Sequence, residues 1–343
     1  MYQSDIFSIQ GMNMSYKINP LLWPALILST PVTMPMLFMK NKKFIQNQEL
    51  AAKYNEKQIK EASKIQLQEV EYAELKVIVE YYAKQGYKGE PGVSYFFTTN
   101  KGNLLYDIGF GASTNVFENN LKALDIHSDD IDALAISHFH PDHCGGMKAS
   151  KGRYIKLPKT MSNKMKEKTC YVPEKGNVIS MKSNYIKKPQ ELSGGIVSTG
   201  PLARSLFFFG LTQEQALVIN IKDKGLVIFT GCGHPTIEII IDMVRKISDI
   251  PIYAIGGGLH FPVKKGRGNY IGVQAQRIIG TGKKPWESIN REDIQRTIKA
   301  INECEAKKVF LSPHDTCDYA LEVFKEGLKA KTYVLKAGES YSF

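Results

Sequence analysis

The chain has 343 residues, a formal net charge of +11 and an ordinary hydrophobic fraction of 43%. That length fits two domains or one large α/β domain with an appendage, and the composition is that of a globular protein. Five cysteines, odd in number and irregularly spaced, argue against a disulfide framework and fit a reducing compartment.

The first notable tract is residues 20–39, PLLWPALILSTPVTMPMLFM, twenty residues without a charge. It is about as long as a bilayer-spanning helix. Lys40, Lys42 and Lys43 follow at once, a pattern that leaves the C-terminal side in the cytoplasm. Four prolines oppose a regular helix, so an arm packed on its own domain or on a second subunit, in a homodimer, is the competing reading. Residues 1–43 are set apart as an apolar segment that associates with a membrane or docks. Residues 44–72, rich in Glu, Lys, Gln and Ala, read as an exposed helical linker. Residues 73–343 form the main domain, placed in the cytoplasm and anchored to the cytoplasmic membrane through 20–39.

Within that domain, residues 75–79, 93–98 and 104–108 read as strands, with turn residues at 100–103. Residues 131–137 (IDALAIS) form an apolar run with the pattern of a buried strand. Directly after it stands His138-Phe139-His140-Pro141-Asp142-His143, four potential metal ligands in six residues. His138 and His140 alternate and point the same way in extended chain; Asp142 and His143 follow the turn at Pro141. Imidazole and carboxylate at this density suit zinc, with iron and manganese as alternatives. Residues 150–210 are irregular in pattern and are expected to form a wall or lid that includes the aromatic run 206–209. Strands are expected at 216–221, 226–230, 249–255 and 332–335, and helices at 236–246, 291–305 and 319–330. Three further histidines follow apolar runs: His234 in GCGHP, His260 in GGGLHF and His314 in LSPH.

The motif HFHPDH resembles the HxHxDH signature of the metallo-β-lactamase superfamily, and Tyr106-Asp107-Ile108-Gly109 resembles that superfamily's strand ending in Asp-x-Gly. Within it, GCGHP, GGLHF and SPH are similar to the group named after archaeal 7,8-dihydropterin-6-methyl-4-(β-D-ribofuranosyl)aminobenzene-5'-phosphate synthase. The resemblance implies an α/β (α+β) protein with four αββα layers and two divalent metal ions at one edge. It also implies that His138 and His140 hold the first metal, with His234 as the third ligand. Asp142 and His143 would hold the second, joined by His314. Cys232 stands where many relatives carry a bridging aspartate, so it is a ligand in place of, or beside, His234. Asp107, Glu214 and Asp315 are candidates for orienting the ligands or joining them; relatives often have Cys-Thr-Gly after the last histidine, where this chain has Asp315-Thr316-Cys317.

Asp142 and His260 are the candidate catalytic residues, His260 by polarising a substrate oxygen or acting as general acid. The glycine-interleaved cluster of Lys264, Lys265 and Arg267 is the candidate grip on a phosphate or carboxylate. Together these residues point to a dinuclear metal-dependent hydrolase acting on a small anionic substrate, a phosphoester among the candidates, through a water deprotonated between the metals. A synthase-like transferase and a metal-stabilised binding module at the membrane are the alternatives. No nucleic acid is expected as partner, because no aromatic–basic platform stands out.

Overall fold

The computed structural model describes residues 16–178, 181–270 and 272–343. Two mixed sheets pack face to face. In the first, seven strands lie side by side in the order Ser340–Ser342, Ala73–Val79, Ser94–Thr99, Gly102–Tyr106, Ala133–Ala135, Thr169–Val172, Lys182–Tyr185. In the second, the path runs Lys331–Val334, Lys308–Leu311, Ile252–Gly257, Gly225–Thr230, Leu217–Ile221, Ile196–Ser198, Gln190–Glu191, with Glu69–Val70 added beside Leu217–Ile221.

The period-two alternation of side chains builds three apolar layers from these two sheets. Along Gly102–Tyr106, Leu104 and Tyr106 enter the core between the sheets while Leu105 faces outward. Phe229 is the centre of the inner layer, with its ring 5.1 Å from Phe97 and 5.5 Å from Tyr95. Burying such a side chain is worth about 1.5–3 kcal/mol. Outside the second sheet lie the helices Ile237–Ile247, Arg291–Glu303 and Asp318–Gly327; outside the first lie Val116–Ala123, Met147–Gly152 and Lys159–Met165. Ile237, Ile240, Ile241, Val244 and Ile247 follow helical spacing and are all buried, which fixes the face that helix presents to the sheet. The layers are therefore αββα, as expected.

This topology matters because it collects strand ends. Gly102–Tyr106, Ala133–Ala135 and Thr169–Val172 are parallel neighbours in one sheet. Gly225–Thr230, Ile252–Gly257 and Lys308–Leu311 are parallel neighbours in the other. Carboxyl ends of parallel strands open onto a common edge. Asp107, the HFHPDH run, the GCGH loop, the GGLH loop and the SPH loop follow five of these ends.

The expected strand 131–137 is shorter, Ala133–Ala135, since the residues after it turn away into the site. The region read as irregular holds a hairpin, Leu202–Leu206 with Gly210–Glu214. Its turn is the aromatic run. Phe207 is buried against Phe44 and Trp286, while Phe209 lies over the ring of His140 at 4.3 Å.

The N-terminal region differs from expectation in where it breaks. A short helix, Trp23–Leu28, meets a long one, Thr30–Glu61, at a 91° bend. Pro24 and Pro31 fall in first turns, where a missing N–H costs nothing, so they start helices rather than prevent them. Nor are residues 44–61 an exposed linker. The Asn55 side chain exchanges two hydrogen bonds with the Ala203 backbone, at 2.6 and 2.8 Å, and Phe44 and Ala51 are buried against the hairpin. The segment docks because its sequence carries an inward stripe of Phe44, Asn47, Ala51 and Asn55 at i, i+3, i+7, i+11. The apolar residues before it stay exposed, among them Leu28, Val32 and Phe38. No single described helix is long and apolar enough to cross a membrane; the bent pair passes that test by length and composition.

Candidate metal centre

Four short loops and one strand end converge at the common edge. His138, His143, Cys232 and His314 are buried, and His140, His234 and His260 are nearly so. One ligand atom from each of Asp142, His143, Cys232 and His314 lies within 4.8 Å of the others. The same holds for His138, Cys232 and His234, and for Cys232, His260 and Asp315. Cys232 is common to all three groups.

Asp107 holds the first wall. Its Oδ1 accepts from the Ser137 backbone N–H at 2.7 Å, and its Oδ2 accepts from the Ser137 hydroxyl at 2.6 Å and pairs with His143 Nδ1 at 2.7 Å. That contact orients the ring so that His143 Nε2 points at the Cys232 sulfur, 3.1 Å away. The Ser137 hydroxyl also lies 2.9 Å from His138 Nδ1, leaving His138 Nε2 aimed inward with no hydrogen-bond partner. Asp107 sits at φ 61°, a left-handed conformation that costs a non-glycine residue roughly 1–3 kcal/mol and is met mainly at functional sites.

Glu214 holds the second wall. Its two oxygens accept the backbone N–H groups of Gly231, Cys232, Gly233 and His234 at 2.8–3.1 Å. All four donors are spent on shaping the GCGH loop, so Glu214 positions Cys232 and His234 rather than ligating with them. Burial pushes its pKa up to about 7, against the pull of those N–H groups. Asp315 repeats the device on a smaller scale: its Oδ2 accepts from the His260 N–H at 3.1 Å, and its Oδ1 from the Thr316 hydroxyl. His260 is also left-handed, at φ 58°. Gly231 and Gly258 are obligatory here. A Cβ on Gly231 would meet the Ser137 hydroxyl at 2.2 Å, and one on Gly258 would meet both Asp315 and the Gly231 carbonyl at 2.4 Å.

His314 is fixed from behind by the Ser312 hydroxyl at 2.5 Å, which in turn bonds Glu80. Glu80 is fully buried, and burial raises its pKa to about 7. Sequence reading missed this carboxylate; its signal was an acidic residue ending the apolar run 75–79.

The donor set fits divalent cations. His138 Nε2, His140 Nε2, His234 Nδ1 and both His260 nitrogens are buried without a partner, a costly state unless another group satisfies them. Burial holds His138, His140, His234 and His314 neutral, the form that ligates. Burial also pushes the carboxyls of Asp142 and Asp315 and the Cys232 thiol upward. That concentration of acids is what a metal ion offsets. His140 belongs to none of the three tight groups; its Nδ1 lies 3.1 Å from His234 Nε2, and its ring contacts His138.

The basic loop divides at the centre: Arg267 and Gly268 line a cavity of about 170 Å³ there, together with Asp142, Cys232, His234 and His260. Lys264 and Lys265 are exposed, Lys264 lying over the Tyr319 ring at 3.8 Å. Arg267 is buried, but it donates to the carbonyls of Pro313 and Thr316 and to Asp318, and stacks on Tyr81. Its donors tie down the loop carrying His314, which removes them from substrate. A second cavity, of about 810 Å³, opens on the other side of His234 and His260, and Arg204 reaches it from the hairpin. Sequence reading missed Arg204; its signal was a lone cation inside an otherwise apolar hairpin strand.

The metallo-β-lactamase superfamily profile matches residues 87–168. The 7,8-dihydropterin-6-methyl-4-(β-D-ribofuranosyl)-aminobenzene-5'-phosphate synthase of Methanocaldococcus jannaschii is 24% identical over 278 residues, 71% of this chain and 85% of that protein. An uncharacterised protein of the same organism is 24% identical over 213 residues, 54% of this chain and 78% of its own length. Among solved structures, Tm1679, a metal-dependent hydrolase of the β-lactamase superfamily, matches with a TM-score of 0.56 at 19% identity, over 78% of this chain and 98% of that one. The four layers are those of the metallo-β-lactamase fold.

Proposed function

We propose that this chain, whose residues 87–168 match the metallo-β-lactamase superfamily profile, is a dinuclear metal-dependent hydrolase of a small anionic substrate. The observation that carries the reading is the sharing of Cys232 between the group of Asp142, His143 and His314 and the group of His138 and His234. Two groups of donors that share one sulfur would suit two metal ions, Asp142, His143 and His314 holding one and His138 and His234 the other, with Cys232 open to either. His140, in contact with both His138 and His234, would join them at the first position. Neutral nitrogen, carboxylate and thiolate donors favour zinc over iron or manganese. Bound metal supplies Lewis acidity and makes water a nucleophile near neutral pH.

The chain's own residues do the rest. Asp107 and Ser137 keep His138 and His143 in the ligating tautomer. Asp142, at the mouth and partly exposed, is placed to take a proton from an incoming water. His260, with both nitrogens unpartnered between the centre and the large cavity, is placed to hydrogen-bond a substrate oxygen or protonate a leaving group. Phe209 roofs His140 and limits water on that side. The test is elemental analysis with turnover of a generic phosphodiester: about two metals per chain and chelator-sensitive turnover is expected. Full turnover in metal-free protein would end the reading.

A transferase is the second reading, favoured by the synthase name of the archaeal relative, which itself contains a phosphate ester. It predicts two metals and no turnover of any ester. We also propose that the exposed apolar bend at residues 20–39, flanked by Lys40, Lys42 and Lys43, rests on an anionic lipid surface. Co-sedimentation with phosphatidylglycerol vesicles tests it; equal sedimentation of a Leu28→Glu/Val32→Glu/Phe38→Glu variant would refute it.

A further inference from the structure

The cavity beside the metal centre has a wall that the reaction, as described so far, does not use. Arg204 projects into it from the hairpin strand Leu202–Leu206. The side chain is largely shielded from solvent. Yet among the described residues its guanidinium makes no hydrogen bond and no ion pair, whereas a buried arginine ordinarily spends its five donors. The nearby acids are already engaged. Glu238 accepts from the Thr297 hydroxyl, and Asp293 binds Lys283, Arg296 and the Asn290 N–H.

Two backbone features face the same space. Thr236 and Ile237 open the eleven-residue helix Ile237–Ile247 toward the cavity, and no side chain caps that helix start. Its first-turn N–H groups and positive dipole end favour an anion. Opposite lies the loop Gly280-Thr281-Gly282, whose glycines permit close approach. A Cβ on Gly282 would meet the Arg204 Nε at 2.4 Å, and one on Gly280 would meet the His260 Nε2 at 2.3 Å. Arg204 and His260 thus pack on positions two residues apart, a span of at most about 7 Å of chain. A molecule held by Arg204 would reach the centre.

We propose that Arg204 and the start of helix Ile237–Ile247 form the subsite that grips a phosphate-type dianion on the substrate's non-reacting end, with Gly280 and Gly282 leaving the room in which Arg204 and His260 pack. A guanidinium binds two oxygens of such an anion at once, and the helix start offers N–H groups to another, a set that suits a tetrahedral anion. The cavity leaves room for an organic body between this grip and the metals. The anion-binding role assigned by sequence to Lys264, Lys265 and Arg267 passes to Arg204. The inference rests on the anionic-substrate reading above, but binding, not turnover, reports on it.

Metal-loaded protein is titrated calorimetrically with phenylphosphonate, a dianion that cannot be hydrolysed. Arg204→Gln should weaken binding at least tenfold with metal content unchanged, and Arg204→Lys should recover part of the loss. Equal affinity in wild type and Arg204→Gln would overturn the subsite and leave the hydrolase reading intact. A protein that turns over no ester yet binds phenylphosphonate through Arg204 would do the reverse. Phenylglyoxal footprinting of the unmutated protein needs no variant to fold. Phenylphosphonate should protect Arg204 and leave the exposed Arg245, which does not line the cavity, reactive; an unprotected Arg204 would sink the proposal.

Discussion

The two walls of the metal centre are built by different means. On the wall from the first sheet, Asp107 receives two of its three hydrogen bonds from side chains, Ser137 and His143. On the wall from the second sheet, Glu214 receives all four of its bonds from backbone N–H groups. The first carboxylate sets ring orientation; the second sets the path of a loop. A buried acid can therefore serve the same centre by fixing a tautomer or by folding a chain, and the two roles respond differently to mutation.

The comparison breaks most sharply at the ligands themselves. His143→Ala removes the ring that joins Asp107 to Cys232, and elemental analysis should show metal falling from about two per chain to one or none, with activity lost alongside. Unchanged metal content would remove His143 from the ligand set. Next in size is Asp107→Ala, for which metal affinity, measured by competition with a chromogenic chelator, should fall about 10–100-fold. Glu214→Ala should act on stability first. Four buried N–H groups lose their acceptor, and even with partial hydration the cost is about 3 kcal/mol or more, read as a lower Tm in metal-free protein. If Asp107→Ala lowered the metal-free Tm as much as Glu214→Ala does, the distinction between the walls would fail. Chelation of the wild type should lower Tm as well, because ligand at 1,000 times Kd contributes about 4 kcal/mol. The smallest effect belongs to Lys264→Ala/Lys265→Ala, whose charges face solvent. KM for a phosphodiester should change less than about twofold, in keeping with surface substitutions generally, and a tenfold rise would return that loop to the substrate site.

The same contrast explains what could be read from the sequence. HFHPDH was legible because six consecutive residues carry one wall's candidate ligands, and Asp107 because it ends a strand two residues before a glycine. The layers followed from apolar periodicity, as in Leu104–Tyr106 and Ile237–Ile247. For Glu214 the sequence leaves open whether it orients the ligands or joins them, since its partners are N–H groups 17–20 residues away that carry no side-chain signature. Arg204 was hidden because its meaning depends on Gly282 and Ile237, which only the fold brings near it. Lys264, Lys265 and Arg267 show the converse: charge density in sequence says nothing of which donors the chain itself consumes, and of the three only Arg267 lines the cavity at the centre.

The N-terminal bend has a mechanical consequence. Before it, Ile18 bridges Val273, Asn19 donates to the Gly272 carbonyl and Gln274 to that of Lys17. After it, the helix is clasped to the hairpin through Asn55 and Phe44. The exposed stretch between is thus a handle fastened at both ends. A protease nick near Met34 should leave both fragments in one particle on gel filtration, separating only when the protein is unfolded.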